Sequence, residues 1–313
     1  MTRQRSEWPA GCFVGFRRTS NNYTMKKLIL LIFLGAAFVA AQTNADSFSF
    51  TTGSPDGRMA TASRPESAGK FEIESADDFI LTNPINVTSA TFTGLLPTGF
   101  DLSTIGQVQV EIYRVFPKDS DVGRTTGPPT FSTIQVPTRV NSPSDVAFDS
   151  RNSLPAGGLS FTTALLNASF TALNSIQPGG IHAQPLQTTG GNGSVTGEEV
   201  QFNITFTNPF ELPADHYFFV PQVELPGPAD NFLWLSAPGP LLFTGDLQAW
   251  TRDANLDPDW LRVGTDIVGG GTAAPKFNES FSLAGTVPDS GFTAFLLGSA
   301  LGALFYLKRR IRA

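Results

Sequence analysis

The chain has 313 residues, 41% of them hydrophobic, with 30 glycines, 23 prolines, 27 phenylalanines and one cysteine. Its formal net charge is −6, but ten of its 21 basic residues belong to the two ends, which leaves residues 46–286 with 11 basic against 25 acidic side chains, net −14. Such a surface repels phosphate backbones and argues against nucleic-acid binding. The lone Cys12 excludes a disulfide framework and a thiolate metal site.

Residues 1–24 precede a complete export signal, so they read as an extension upstream of a true start at Met25. Arg17-Arg18 would suit twin-arginine export, but the hydrophobic residues that should follow closely are missing. Met25-Lys26-Lys27 followed by about 14 apolar residues, Leu28 to Ala41, has the charged start and short apolar core of a signal peptide over 25–45. Small residues suit cleavage after Ala41 or after Ala45, with the second preferred. Signal peptidase and the general secretion machinery are the partners this implies.

The segment 46–286 is rich in Phe, Thr, Pro and Gly and poor in helix formers, as in a secreted all-β domain. Strands are expected at 47–52, 69–74, 78–82, 86–95 and 107–112, then at 159–165, 200–207, 215–224, 231–236, 247–252 and 277–284. The period-two pattern is clearest in two of them. Val108, Val110 and Ile112 alternate with Gln and Glu, and Val200, Phe202, Ile204 and Phe206 alternate with polar residues. Asn, Gly and Pro clusters separate the strands, and 117–145 and 174–197 read as long loops. So many short strands predict an antiparallel, jelly-roll-like β-sandwich flanked by an N-terminal signal helix and a C-terminal transmembrane helix.

Several constellations could carry chemistry. Asp77-Asp78 precedes Phe79-Ile80-Leu81 and reads as a turn cap at a strand start or as a cation site. His182 and His216 are the only histidines, and with no G-x-S-x-G elbow and no H-E-x-x-H neither a Ser-His-Asp triad nor a zinc site is supported; His216 reads as structural. Trp234, Trp250 and Trp260 fall close together in sequence, either as core residues or as a platform for stacking on sugar rings. Asp253, Asn255, Asp257 and Asp259 place oxygens at alternating positions, which suits Ca²⁺ or an ordinary turn stabilised by side-chain-to-backbone bonds. Pro258 and Gly264 break the EF-hand scheme. Paired carboxylates for glycoside cleavage leave no spacing signature, so 25 acidic residues neither support nor deny them.

The tail has three parts in order: Val287-Pro288-Asp289-Ser290-Gly291, an apolar run over 291–307, and the basic cluster Lys308, Arg309, Arg310 and Arg312. As a helix the run spans roughly 25 Å, at the short end for a bilayer core of about 30 Å. Gly298, Ser299, Ala300 and Gly302 would let it pack closely on another membrane helix, and the basic cluster holds the terminus on the cytoplasmic side. A single-span tail anchor and a buried apolar helix are the plainer readings. The motif, span and basic cluster over 287–313 resemble the C-terminal sorting signal of the PEP-CTERM class in its VPDSG variant. That resemblance implies a bacterial envelope protein processed by an exosortase-like membrane peptidase, which recognises the motif residues rather than using them in catalysis. Three phrases, Ala214–Pro221, Phe232–Ser236 and Asn255–Trp260, are similar to uncharacterised secreted bacterial proteins with such tails, a likeness over roughly 75–285 that implies one domain and brings no activity.

The expected function is that of an exported cell-surface or matrix component, a substrate of processing and not an enzyme, associated with extracellular polysaccharide. The competing expectations are a secreted glycan hydrolase on the same scaffold and a structural surface protein without a ligand.

Overall fold

A computed structural model describes residues 46–124, 136, 138–181, 188–239, 243–270, 273–288 and 308. The expected signal peptide 25–45, the apolar run 291–307, His182 and the basic residues after Lys308 lie outside the described residues. Among the described residues no helix is long and apolar enough to cross a membrane.

Among the described residues fifteen strands form two sheets, as the all-β reading expects. In the first sheet β4 (Ile85–Leu96) is the centre. One edge of β4 pairs with the long β9 (Val195–Leu212), and the other pairs first with β15 (Phe281–Thr286) and then with β11 (Leu233–Ala237). β1 (Ser47–Thr51) extends this sheet beyond β15, β7 (Leu159–Ala172) extends it beyond β9, and β2 (Met59–Ala62) and β8 (Asn174–Ile176) extend it beyond β11. β14 (Asn278–Glu279) also pairs with β11. The second sheet runs β13 (Leu261–Arg262), β12 (Trp250–Asp253), β3 (Ile73–Ile80), β10 (His216–Val223), β5 (Val108–Arg114), β6 (Asp149–Asn152). One pair, β2 with β8, is parallel, so the sandwich is not wholly antiparallel.

Alternation decides which face each side chain serves. Val200, Phe202, Ile204 and Phe206 of β9 and Val108, Val110 and Ile112 of β5 are all buried in the layer between the sheets. Phe92 stacks on Phe202 at 4.9 Å and Phe219 stacks on Phe281 at 4.9 Å. Each such ring stabilises the fold by about 1.5–3 kcal/mol through burial. A second, smaller apolar layer lies on the opposite face of the second sheet, where Ala76, Tyr113, Phe218, Val220, Trp250 and Trp260 pack together.

The sequence expectations fail in particular places. The end of the expected strand 69–74 and the start of the expected strand 78–82 belong to one strand, β3 (Ile73–Ile80), and Asp77-Asp78 lies inside it instead of capping its start. β3 lies between β12 and β10 and both its faces are covered, so neither aspartate is at an edge. The expected loop 174–197 contains β8 and the first residues of β9. The short strands β2, β6 and β13 carry no legible alternation and exist through their partners.

Candidate functional site

The outward face of the second sheet gathers the densest polar network. Alternation puts Glu74 of β3, Glu111 and Tyr113 of β5, Gln222 of β10 and Arg252 of β12 on that one face. Arg252 Nε donates to Glu74 Oε2, and its Nη2 donates to the Tyr113 hydroxyl at 2.9 Å. That hydroxyl lies 2.6 Å from Glu74 Oε1 and 3.0 Å from Glu111 Oε2. Arg252 Nη1 reaches Asp257 at 2.8 Å, and its guanidinium stacks 4.3 Å over the Trp260 ring. Glu72 joins from the chain just before β3, and carboxylate oxygens of Glu72, Glu74 and Glu111 all lie within 4.8 Å of one another.

Crowding of like charge shows in the acidities. Burial first, and then the Glu74 charge, push Glu111 up to about 8. Glu72 is raised by the same two causes in the same order. Burial works against the charge on Arg252, yet Glu74 and its other anionic neighbours outweigh it and hold the guanidinium above its usual value.

The loop with the candidate calcium ligands is committed elsewhere. Asp253 Oδ1 accepts the N–H groups of Asn255 and Leu256, both at 3.0 Å, the side-chain-stabilised turn of the plainer reading. Asp257 pairs with Arg252, Asn255 points to solvent and Asp259 is buried. Among the described residues the acids that converge are Glu72, Glu74 and Glu111, not those of the loop.

The three tryptophans are buried, at 0%, 1% and 2% exposure for Trp234, Trp250 and Trp260, so none presents a ring face to solvent. Trp234 donates to the Ser280 carbonyl at 2.9 Å and Trp260 to the Ser144 carbonyl at 3.1 Å. The core position left open by the sequence is the one they occupy, because aromatic area of that size finds most stabilisation between covered layers. Trp250 reaches the wall of a 280 Å³ cavity shared with Asn141, Asp246, Gln248, Arg262 and Lys276. Its indole N–H has no acceptor among the described residues.

A third polar group, not anticipated from the sequence, lies inside the sandwich. Asp77 Oδ2 accepts the Glu279 N–H at 2.9 Å, and Glu279 Oε1 accepts the Thr61 hydroxyl at 3.0 Å. Burial, then the neighbouring Asp78 charge, raises Asp77 well above the usual carboxylate range; burial does the same for Glu279. Asp78 faces the other way and bonds His216 Nε2 at 2.6 Å.

At the C-terminal end, β15 stops at Thr286 opposite Ser47 of β1, and the next N–H, that of Val287, donates to the Asp46 carbonyl at 2.9 Å. Pro288 cannot donate to a further ladder bond, so the motif begins where the sheet ends. Asp289, Ser290 and Gly291 lie outside the described residues. Residues 286–311 match the VPDSG-CTERM motif model. The chain ends in a VPDSG-CTERM motif. A VPDSG-CTERM tail is a sorting signal of the PEP-CTERM class; it implies processing by an exosortase-like enzyme and fits an exported envelope or surface protein. No curated protein and no solved structure matches the chain.

Sequence reasoning missed Glu72, Glu74, Glu111, Tyr113, Gln222 and Arg252 as a group. The alternation of Gln109, Glu111 and Tyr113 against Val108, Val110 and Ile112 did signal an outward face, but nothing local indicates that four strands distant in sequence meet there.

Proposed function

We propose that the protein is an exported surface or matrix component whose VPDSG-CTERM tail delivers it to an exosortase-like peptidase, and whose β-sandwich associates with extracellular polysaccharide without cleaving it. The observation that carries the reading is the match over 286–311, placed directly after the last strand of the sandwich. Ending the sheet at Thr286 leaves the motif outside regular structure on its N-terminal side, where Val287 makes the final backbone bond. A peptidase needs such an unladdered backbone.

Two features support association with glycan. The acidic surface of residues 46–286 suits a cation-bridged polysaccharide matrix. The 280 Å³ cavity gathers amide, carboxylate, guanidinium and ammonium groups beside Val140, Leu247 and the buried Trp250, the mixture of apolar and oriented polar lining that small-ligand sites use. Among the described residues its wall carries one carboxylate, Asp246, whereas glycoside cleavage ordinarily uses a facing pair, which favours binding over hydrolysis.

C-terminal peptide mapping by mass spectrometry on the mature protein from its native envelope tests the sorting part. The expected terminus falls within or beside Val287–Gly291; a terminus at Ala313 would leave a simple tethered protein. Co-sedimentation of the protein with polysaccharide from the same envelope tests the second part, with Gln248→Ala expected to weaken it severalfold. Wild-type protein that stays in the supernatant would refute the glycan association.

A further inference from the structure

The carboxylate cluster outside the cavity has a property that packing alone does not account for. Oxygens of Glu72, Glu74 and Glu111 lie within 4.8 Å of one another, which is within the roughly 5 Å separating two oxygens that share one Ca²⁺ at about 2.3–2.6 Å each. Gln222 is fully buried, and its carboxamide is turned into this cluster, with Nε2 donating to Glu72 Oε1 at 2.9 Å. The other atom of the same carboxamide, Oε1, has no donor among the described residues. An acceptor buried in that way is costly unless something satisfies it.

Charge points in the same direction. Glu74 and Asp257 share the Arg252 guanidinium, while Glu72 and Glu111 receive only neutral donors, from Gln222, Gln109 and Tyr113. Negative charge therefore exceeds positive charge beside a carboxamide whose uncharged oxygen lacks a partner among the described residues. All the available ligand atoms are oxygens, the donor set of a hard cation and not of zinc or copper. We propose that Glu72, Glu74 and Glu111, together with Oε1 of Gln222, form a calcium-binding site on the outward face of the second sheet. The site joins β3, β5 and β10, so an ion there clamps three strands of one sheet. It is separate from the 253–259 loop and from the cavity, and it does not depend on the tail being processed.

The test is calorimetric titration of the purified full-length chain with CaCl2 after dialysis against EGTA, alongside thermal melts with and without CaCl2. One site per chain is expected, with a melting increase of about 5–10 °C at a hundredfold excess over Kd. Glu111→Gln should remove both the heat and the melting increase, whereas Asp253→Asn, which keeps the turn-forming oxygen, should leave both. Should Glu111→Gln not fold, Glu72→Gln at a half-buried position is expected to lower calcium affinity at least about tenfold. Equal melting of the wild type in CaCl2 and EGTA with no titration heat would overturn the proposal, as would a calcium response that survives in the glutamate variants and disappears in Asp253→Asn.

Discussion

Asp77 shows how much a single residue's meaning depends on its surroundings. In the sequence it is half of an acidic pair that reads as a turn cap or a cation site; in the fold it is 1% exposed between two sheets, with one oxygen bonded to the Glu279 N–H and the other without a partner among the described residues. Its pKa is raised in the folded state by burial and then by Asp78. A carboxyl group with a raised folded pKa keeps its proton where the unfolded chain has lost it, so stability falls as pH rises above the unfolded value of about 3.9. Asp77→Asn retains the acceptor and removes the ionisation. The variant is expected to melt several degrees above the wild type near pH 8 and to lose that advantage near pH 4, as followed by circular dichroism. An advantage that is the same at both pH values would mean that Asp77 is not held neutral. The tryptophans carry the same lesson: type and spacing allowed either core or platform, and only their 0–2% exposure decides for the core.

At the level of elements, long strands with clean alternation were legible and short ones were not. β9, β4, β5 and β10 lie close to their expected positions because one face of each meets the core over several repeats. β2, β6, β8 and β13 have two to four residues, too few to show a period. β7 pairs only with β9 and is an edge, and two register shifts along it bend that edge away from straight pairing, a common protection against further strand addition. The handover on β4 from β15 to β11 depends on Gly94, which pairs with Val200 on one side and Trp234 on the other. A Cβ there would lie 2.6 Å from the Leu233 carbonyl oxygen and 2.2 Å from the Phe232 ring. Gly94→Ala should therefore cost about 1–3 kcal/mol through overpacking, a drop of roughly 2–10 °C in melting. Gly179→Ala is the control, with nothing within 4 Å of its Cβ, and should leave the melting point unchanged.

At the scale of the whole molecule, charge segregation is the dominant feature. Ten of the 21 basic residues cluster at the two ends, and the net −14 of residues 46–286 is concentrated on one compact unit, Ala45–Pro288. Mutual repulsion on such a surface opposes compactness and is screened by salt. Raising NaCl from about 0.01 to 0.5 M should increase the melting point by about 2–4 °C near pH 8 and by less near pH 5. Burial of Asp77 is not screened in this way, so the pH effect assigned to it should persist in high salt. A salt response of equal size at both pH values would separate surface charge from the effect. The tail belongs to this scale too, because its order of motif, apolar run and basic cluster is read along the chain and needs no folded partner.

The all-β class, the inward faces of the long strands and the VPDSG-CTERM tail are legible along the chain, since each is a local or periodic property that a linear chain displays. The tertiary structure alone decided that Asp77 and Asp78 face opposite ways from the middle of a central strand. It also decided that the loop acids serve a turn and an arginine, and that Glu72, Glu74, Glu111 and Gln222 meet. Those outcomes depend on which strands become neighbours. Register and strand order bring together residues as far as 202 positions apart, as for Asp77 and Glu279, and no local pattern encodes such an encounter.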